Sequence, residues 1–577
     1  MTTANEHILY EPDERCPLSV SLAVGFQGAV FLLIATALLV SITLSGDSHG
    51  EEYLTWAVFA ALIINGAATA LQAGSFWRFG AGHVFFTCTM AGYLPVTRLA
   101  LAQGGPALMA SLVIVSSLVQ FLLSAWLPLL RRIVTPVVSG TVLLLVAVMT
   151  IPIAFDRVAD VPEDAPAGAE LLIIGAVLAV IVSLGLLASG RLRLWSPILG
   201  IGAGCAVAAA LGIYDIQRVI DAPWIGIPTG GWPGIDLTPG AEFWAVLPLF
   251  LVVSLVHALK VVGGGIAMQR VSWRRERVTD FRRVQGAVNT VGAGTLLSGI
   301  AGTPPPAVQE ANSVSFVTLT GVAARDVGYA VGAIMIGLAF LPKVAAFLLA
   351  VPSPVMGIYL MTIMGMLFVE GARNVLQDGL DYRKSIVVAV SFSLGVGFQS
   401  QDLFSEVAGE VWGTLLGNGL AAGTLAAVVM TAVMNLTSPR SLRLETELDI
   451  SALTRINGFL QRVADRAGWG EASADRLRFV GEEVLSSLLQ EGASEDEGKI
   501  RRLALVVRPS ARTVELEFLS SLEDENLEDR LAYMGEQTEV PQEHEISYRL
   551  LRHYASSVRH RKYHGLDIVT VHVEGSR

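Results

Sequence analysis

Charged residues and cysteines are scarce in this chain. Only 16% of the 577 residues are Asp, Glu, Lys or Arg, whereas 53% are hydrophobic. So low a charge content in so long a chain excludes a disordered protein and a large soluble core, and it predicts a protein with many membrane spans. The three cysteines form neither a disulfide framework nor a metal-ligand spacing.

The chain also lacks motifs for catalysis, cofactors and nucleic-acid binding. We therefore expect no enzymatic activity, no cofactor, no metal and no nucleic-acid partner. The acidic, polar N-terminus has no basic stretch followed by an apolar run, which predicts no cleavable signal peptide and a cytoplasmic tail over residues 1–17. The arginines between residues 270 and 283 are expected to fix the topology and to contact anionic membrane lipids.

Long apolar runs dominate the first 436 residues. A helix needs about 20 residues to cross the hydrocarbon layer of a membrane, and shorter or interrupted runs can re-enter it. We count fourteen such segments, at residues 18–44, 53–73, 81–101, 105–130, 132–154, 168–189, 193–214, 241–266, 285–301, 303–322, 325–349, 352–372, 385–400 and 414–436.

The loops between these segments differ in charge. Arg and Lys concentrate after even-numbered segments, whereas the other loops are mostly acidic. Because positively charged loops stay in the cytoplasm, we predict a multi-pass protein of the inner (plasma) membrane with both termini in the cytoplasm.

The third and tenth segments are interrupted. Fourteen segments divide into seven plus seven, and an odd number per half makes the second half enter the membrane inverted. Prolines at 304–306 exclude a regular helix in the tenth segment, and residues 84–87 suit a short strand in the third. The predicted fold is an all-α polytopic membrane protein with fourteen transmembrane segments, a 7+7 inverted repeat, and short strands in segments 3 and 10.

Polar side chains at such breaks point to a binding site, because non-helical backbone inside a bilayer must be covered by protein or water. His257 and Lys260 lie three residues apart on one helix face. Glu310 is the only acidic side chain expected well inside a span, and a buried carboxyl can load and release a proton. Asn312 and Ser313 supply hydrogen-bonding groups.

Gln27 in the first segment and His83 in the third are the other polar residues at depth. We expect them to line one cavity together with the residues of segments eight and ten. The structural alternative has His257 bonded to a neighbouring carbonyl and Lys260 reaching toward the basic loop.

Residues 441–577 are densely charged and are predicted to form a cytoplasmic α/β domain. The apolar pattern predicts helices over residues 474–492 and 548–558. The predicted strands cover residues 502–507, 513–519 and 567–573.

The membrane part resembles the nucleobase–ascorbate transporter family, which contains uracil and xanthine permeases. The resemblance covers residues 18–436. It is carried by Thr303-Pro304, Glu310, Asn312-Ser313, residues 319–322, Ala324-Arg325, residues 341–343, residues 351–357, residues 292–295, residues 80–86 and Phe26-Gln27.

The resemblance implies a substrate site and a mechanism. It implies a core of segments 1–4 and 8–11, a gate of segments 5–7 and 12–14, a homodimer, and Phe85 among the substrate-binding residues. The function implied is secondary active transport of a nucleobase-like solute, a purine such as xanthine or urate, or uracil. Alternating access would be coupled to protons through Glu310 or His257. Transport of a small inorganic or carboxylate anion, and a non-transporting nucleobase sensor, are the alternatives.

The chain departs from this family at the site. His257 stands where the family usually has a Glu, and the glycine after the Asn of the tenth segment is absent. Counting from Thr303 selects Glu310 as the family's second polar residue, whereas counting back from Leu319 selects Asn312. With His257 and Lys260 the site favours an anionic or acceptor-rich ligand over neutral uracil.

The C-terminal domain resembles the ATPase domain of anti-sigma-factor and histidine kinases. Residues 476–492 look like the helix that carries their Glu and Asn, but Ser487 stands where the Mg²⁺-binding Asn belongs. The Asp-x-Gly motif and the glycine-rich lid are also missing. The resemblance therefore implies a degenerate, non-catalytic regulatory domain; the alternative is an unrelated domain of sulfate-transporter type.

Overall fold

The computed structural model describes most of the chain. The described residues are 5, 7–44, 50–125, 135–162, 165–189, 191–228, 230–236, 238, 240–274, 280–376, 382–400, 419–436, 442–492, 501–509, 513–522, 554–563 and 566–575. Parts of the fourth, fifth and fourteenth predicted segments, and residues 548–553 of a predicted helix, lie outside these ranges.

The chain divides into two compact units. The first comprises Met1–Arg277 and Phe281–Ala432, and the second comprises Val278–Asp280 and Val433–Arg577. Helices build the first unit: α1 Leu18–Leu44, α2 Gly50–Ala73, α3 Leu94–Ala125, α4 Pro136–Ala159, α5 Ala169–Leu187, α6 Arg191–Leu194, α7 Ser196–Ala210, α8 Ile216–Asp221, α9 Ala241–Ser272, α10 Phe281–Ala301, α11 Glu310–Thr320, α12 Arg325–Ala339, α13 Pro342–Leu349, α14 Ser353–Leu376, α15 Tyr382–Ser400 and α16 Gly419–Leu436. Residues 433–436 of α16 belong to the second unit.

Seven described helices are long and apolar enough to cross a membrane, or up to eight if one bent pair counts as a single span. That pair is α12 and α13, which meet at 86° where the sequence predicts one segment over residues 325–349. Pro342 starts α13 and cannot continue a hydrogen-bonded helix. Conversely, α3 contains the end of the third predicted segment and the described part of the fourth, separated by Gly105 at φ 71°.

Two short strands lie inside the helical bundle. β1 (Thr87–Thr89) pairs antiparallel with β2 (Pro306–Val308), and all six residues are buried. The hydroxyl of Thr69 on α2 accepts the backbone N–H of Thr87 at 3.0 Å. The interruptions predicted in the third and tenth segments are therefore present, and protein groups cover the non-helical backbone. The first strand begins at the last residue of the predicted stretch 84–87.

The helices of the first unit pack in two groups. In one group α2 packs on α12, α3 on α10 and on α9, and α1 on α12. In the other group, α5 packs on α7, and α4 packs along α14. The α4–α14 contact is the most extensive between any two described elements. Glycines allow the close approaches: a Cβ on Gly332 would lie 2.7 Å from the Cβ of Ala70, and a Cβ on Gly140 would lie 2.7 Å from the carbonyl oxygen of Gly371.

Residues 7–17, which we call the N-terminal strap, pack on the loops at the ends of α9 and α11. The Arg274 guanidinium donates to both carboxylate oxygens of Glu14, at 2.7 and 2.8 Å. The Leu9 N–H donates to the carbonyl of Gly321 at 2.7 Å. Gly321 has a φ of 71°, and a Cβ there would lie 2.6 Å from the carbonyl oxygen of His7. Hence the predicted tail is, over these residues, part of the packed unit.

The second unit is an α/β domain. Its five-stranded antiparallel sheet has the order β3-β4-β5-β7-β6, and two helices pack against each other and the sheet. The elements are β3 Leu442–Glu447, α17 Ala452–Ala467, α18 Glu471–Gly492, β4 Arg501–Pro509, β5 Thr513–Leu522, β6 Ser557–Tyr563 and β7 Leu566–Glu574.

The sequence predicts α18, β4, β5 and β7 within a few residues, and it misses β3 and α17. The predicted helix over residues 548–558 is wrong at its described end, because β6 starts at Ser557 and pairs with β7. Strand propensity depends on neighbouring strands, which local sequence does not reveal.

Candidate functional site

An ion pair lies where β2 leads into α11. Glu310 is the first residue of α11, and its Oε1 lies 3.1 Å from the Nζ of Lys260 on α9. The side chains are 18% and 12% exposed, respectively. The structure thus brings together two residues that the sequence proposes for the site. Lys260 forms its ion pair inside the bundle and does not extend toward the basic loop.

A glycine permits this approach of α9 and α11. A Cβ on Gly264 would overlap the Cβ of Glu310 and would lie 3.1 Å from the ring of Phe85. Only glycine leaves room for both side chains at that point. Phe85 is fully buried, so it packs beneath the carboxyl-bearing end of α11.

A second carboxylate, which sequence reasoning missed, completes the group. The Oε1 of Glu370 on α14 lies 2.9 Å from the Nζ of Lys260, and its side chain is 36% exposed. Glu310 therefore shares Lys260 with a second carboxylate, which the sequence did not propose for the site. The sequence did not single out Glu370, because it lies near the end of a predicted segment, three residues before Arg373. Charged residues are common at such ends. We call Lys260, Glu310 and Glu370 the charge cluster.

His257 lies one turn before Lys260 and is 1% exposed. Among the described residues, neither ring nitrogen has a hydrogen-bond partner. Its ring meets the ring of Tyr93 edge-on, with the centroids 6.4 Å apart. The Tyr93 hydroxyl in turn lies 2.7 Å from the Ser254 hydroxyl. An imidazole without a partner in the bundle interior is available to a ligand or a proton.

Gln27 and Asn312 line a cleft on another side of α11. The cleft is also lined by Phe31, Phe86, Trp195, Ile198 and Phe316. Its volume of about 20 Å³ suffices for little more than one water molecule. Residues two apart on a helix do not share a face. Glu310 and Asn312 accordingly face different surroundings, and the single cavity expected from the sequence is not formed in the described contacts.

Ser313 joins the two interrupted segments. Its hydroxyl donates to the carbonyl of Gln309 at 2.7 Å and accepts the N–H of Phe86 at 2.9 Å. The side-chain amide of Asn312 donates to the amide oxygen of Gln309 at 3.2 Å. The Ser313 hydroxyl thus helps to position Phe86, whereas Asn312 keeps free hydrogen-bonding capacity toward the cleft. Phe86, rather than the proposed Phe85, faces this cleft.

His83 lies elsewhere. Its ring meets the ring of Trp273, just beyond the end of α9, with the centroids 6.0 Å apart. Trp273 is thirteen residues beyond Lys260, which corresponds to about 20 Å along a helix. The structure therefore does not bring His83 to the charge cluster.

A wider hollow of about 390 Å³ lies beside the end of α10, lined in part by Tyr53 and Trp232. Three side chains hydrogen bond to the last carbonyls before the proline run. The Trp232 indole donates to Ile300 at 2.9 Å, the Trp56 indole to Ala301 at 2.8 Å, and the Tyr53 hydroxyl to Gly302 at 2.8 Å. These bonds satisfy carbonyls that a helix end leaves without partners.

Within the described ranges, no group of three or more His, Cys, Asp or Glu side chains is placed to hold a metal ion. The site consists instead of a partly buried ion cluster, an imidazole without a partner among the described residues, and a mostly apolar cleft with two amide side chains, all near two paired strands. Broken spans with ionisable groups at membrane depth define the class: a multi-pass membrane transporter.

Comparisons with known proteins identify the family. The profile of the Permease family, Xan_ur_permease, matches residues 20–404, and the chain belongs to this family. Xanthine permease XanP of Escherichia coli is 28% identical over 452 residues, which are 75% of this chain and 95% of XanP. Uric acid permease PucK of Bacillus subtilis is 28% identical over 433 residues, which are 74% of this chain and 98% of PucK. The chain is a permease, not an enzyme.

The fold has a counterpart among solved structures. The murine Solute Carrier 26 family member A9 anion transporter, in its inward-facing state, aligns with a TM-score of 0.52 at 10% identity. The alignment covers 75% of this chain and 71% of that one. At this identity the likeness concerns the fold alone.

Proposed function

We propose that the protein is a secondary active transporter of a nucleobase-like solute, with purine anions such as xanthine or urate preferred over uracil. The observation that carries this proposal is the buried Lys260–Glu310 pair at the start of the helix that follows β2. It lies in a chain similar over nearly their full length to a xanthine permease and a uric acid permease.

The side chains suit such a ligand. The amides of Gln27 and Asn312 offer donors and acceptors to the edge of a base, and the rings of Phe86 and Phe316 offer apolar surface to its faces. The His257 ring, whose nitrogens have no partner among the described residues, offers a hydrogen bond to the ligand, whereas the charge of Lys260 is balanced by Glu310 and Glu370. In this conformation the cleft is too small for a purine, so binding requires the surrounding helices to separate.

The packing supports fourteen segments in a 7+7 inverted repeat. If α1 and α2 correspond to α9 and α10, the contact of α2 with α12 has its counterpart in that of α10 with the second part of α3. Likewise, the contact of α1 with α12 corresponds to that of α9 with α3. The β1–β2 contact joins the third and tenth segments, and the α4–α14 contact joins the fifth and twelfth. The proposed repeat exchanges the two members of each pair, so it maps each of these contacts onto itself.

The same packing supports a core and a gate. The core comprises segments 1–4 and 8–11, the gate comprises segments 5–7 and 12–14, and the two groups of contacting helices follow this division. Alternating access then moves one group against the other in an elevator-like or rocking motion, with Glu310 or His257 carrying the coupled proton.

Further features of the proposal follow from the sequence. The protein spans the plasma membrane with both termini in the cytoplasm, its basic loop between residues 270 and 283 contacts anionic lipids, and it functions as a homodimer. The second unit is a non-catalytic regulatory domain related to anti-sigma-factor and histidine-kinase ATPases. Binding of Mg²⁺-ATP to the full-length chain would contradict that last assignment.

Uptake by purified protein in liposomes tests the main proposal. With the external side acidic, radiolabelled xanthine or urate should accumulate, and unlabelled purines should compete better than uracil, sulfate or bicarbonate. Asn312→Ala should weaken purine competition about tenfold, which corresponds to the loss of one or two hydrogen bonds.

Thr318→Ala is the matched control, since Thr318 lies on the same helix but is exposed and bonds only to the carbonyl of Val314 at 2.8 Å. Competition by sulfate or bicarbonate in place of purines would indicate an anion transporter. Purine binding without accumulation would indicate a sensor.

A further inference from the structure

Glu370 is the member of the charge cluster that comes from the other group of helices. Lys260 and Glu310 lie on α9 and α11, which the proposed function assigns to the core. Glu370 lies on α14, which it assigns to the gate. The 2.9 Å contact between Lys260 and Glu370 therefore crosses the boundary at which the two groups would move.

The cluster holds one cation and two potential anions. With both carboxylates ionised its charge is −1, and with one protonated its charge is zero. An uncompensated charge in a membrane interior is expensive. The cluster is therefore neutral when one proton is shared between Glu310 and Glu370.

Within the described part of the chain, two further ionisable groups lie one turn from members of the cluster. His257 lies on α9, and Arg373 lies one turn on along α14 and is exposed. Asp156 and Arg157 on α4 are remote, because α4 and α14 run antiparallel. Gly140 contacts Gly371, whereas Ala154 and Val158 contact Gly357, about 20 Å along α14 from Glu370. Within the described residues, the charges that act on Glu310 are those of Lys260 and Glu370.

We propose that Glu370 is a positioning residue that couples core–gate contact to the binding of one proton. In the contact state, Lys260 lies between both carboxylates and the cluster takes one proton from solvent. When the gate moves away, Lys260 stays with ionised Glu310, Glu370 enters water, and the proton returns to solvent. This inference rests on the proposed core and gate, and it makes acid favour the conformation described here.

The experiment compares purified wild-type protein with Glu370→Gln, Glu370→Asp and Glu242→Gln. Glu242 is an exposed residue in the first turn of α9, so it controls for the same chemical change elsewhere. Two quantities are measured between pH 5.5 and 8: the melting temperature without ligand, and the Kd for radiolabelled xanthine and urate.

In the wild type, the melting temperature should fall as pH rises, because the contact state loses its proton. In Glu370→Gln, Lys260 pairs with ionised Glu310, and this pair is neutral without an added proton. The melting temperature should therefore depend less on pH. One linked proton changes an equilibrium by at most about tenfold per pH unit, and the slope of log Kd against pH should change by up to one. Any contribution from ionisation of the ligand itself is common to all variants.

Glu370→Asp should keep the wild-type pH dependence, and Glu242→Gln should behave as the wild type. Identical melting-temperature slopes in Glu370→Gln and the wild type would overturn the inference, and so would loss of the slope in Glu242→Gln. If the slopes differ as expected but neither xanthine nor urate binds the wild type, the substrate proposal fails while the role of Glu370 stands. If Glu370→Gln does not fold, Glu370→Asp becomes the deciding variant. A flattened dependence of its melting temperature on pH would contradict the inference.

Discussion

At the scale of residues, Lys260 lies 3.1 and 2.9 Å from two carboxylates, and its side chain is 12% exposed. Removing one partner of a buried ion pair costs more than the pair contributes, because the remaining charge stays desolvated. Replacing one charged residue of the cluster should therefore destabilise the protein more than replacing a cation and an anion together.

Lys260→Met should lower the free energy of unfolding by about 3 kcal/mol, since it leaves two carboxyl groups without their counter-charge. Lys260→Met combined with Glu310→Gln should recover part of this loss. Thermal unfolding of the purified single and double variants measures the coupling. Equal melting temperatures for the wild type and Lys260→Met would show that the ion pair contributes nothing to the fold.

Sequence reasoning reached some of these residues and not others. His257, Lys260 and Glu310 stand out because ionisable residues are rare in apolar runs. Glu370 did not stand out, because its depth depends on how far α14 extends and its partner on how α14 packs. The orientations of Glu310 and Asn312 likewise depend on where α11 begins, and counting from the two sides of the motif gave answers two residues apart.

At the scale of elements, close helix packing through glycine holds the first group of helices together. On α12, a Cβ at Gly332 would contact Ala70 of α2 at 2.7 Å, whereas a Cβ at Gly337 would meet nothing within 4 Å. The two positions lie on one helix and differ only in what faces them.

Gly332→Leu should destabilise the protein by about 2 kcal/mol, because the added side chain forces α2 and α12 apart. Gly337→Leu is the matched control and should leave the melting temperature nearly unchanged. The opposite ranking of the two variants would contradict the packing of α2 on α12.

The interruption of the tenth segment was predictable because three prolines act locally on the backbone, and that of the third followed from its glycines and residues 84–87. The bend between α12 and α13 was not predicted, although Pro342 marks it. A single proline is compatible with either a kinked span or a turn, and only tertiary packing decides between them. The same holds for β6, whose pairing with β7 is non-local.

At the scale of the whole molecule, the N-terminal strap ties the start of the chain to loops more than 250 residues later. The two hydrogen bonds from Arg274 hold the pKa of Glu14 below its ordinary value of 4.5. A carboxylate with a lowered pKa stabilises the folded state above its unfolded pKa, and that contribution is lost as pH falls through the folded pKa.

Glu14→Gln should therefore lower the melting temperature at pH 7, and the difference from the wild type should shrink as pH falls below 4.5. Because Glu14 is more than one-third exposed, the effect should be small and reduced by salt. Melting curves at pH 3 to 7 measure it. A difference that persists unchanged at pH 3 would show that the substitution disturbs the strap for another reason.

The indoles of Trp56 and Trp232 bond to the carbonyls that immediately precede the proline run and β2. Tryptophan fluorescence shifts with hydration and with the state of the indole N–H. The fluorescence of Trp56 and Trp232 therefore reports on the structure where α10 leads into the proline run. Comparing emission spectra of Trp56→Phe and Trp232→Phe proteins would let rearrangements there be followed in real time without an added dye.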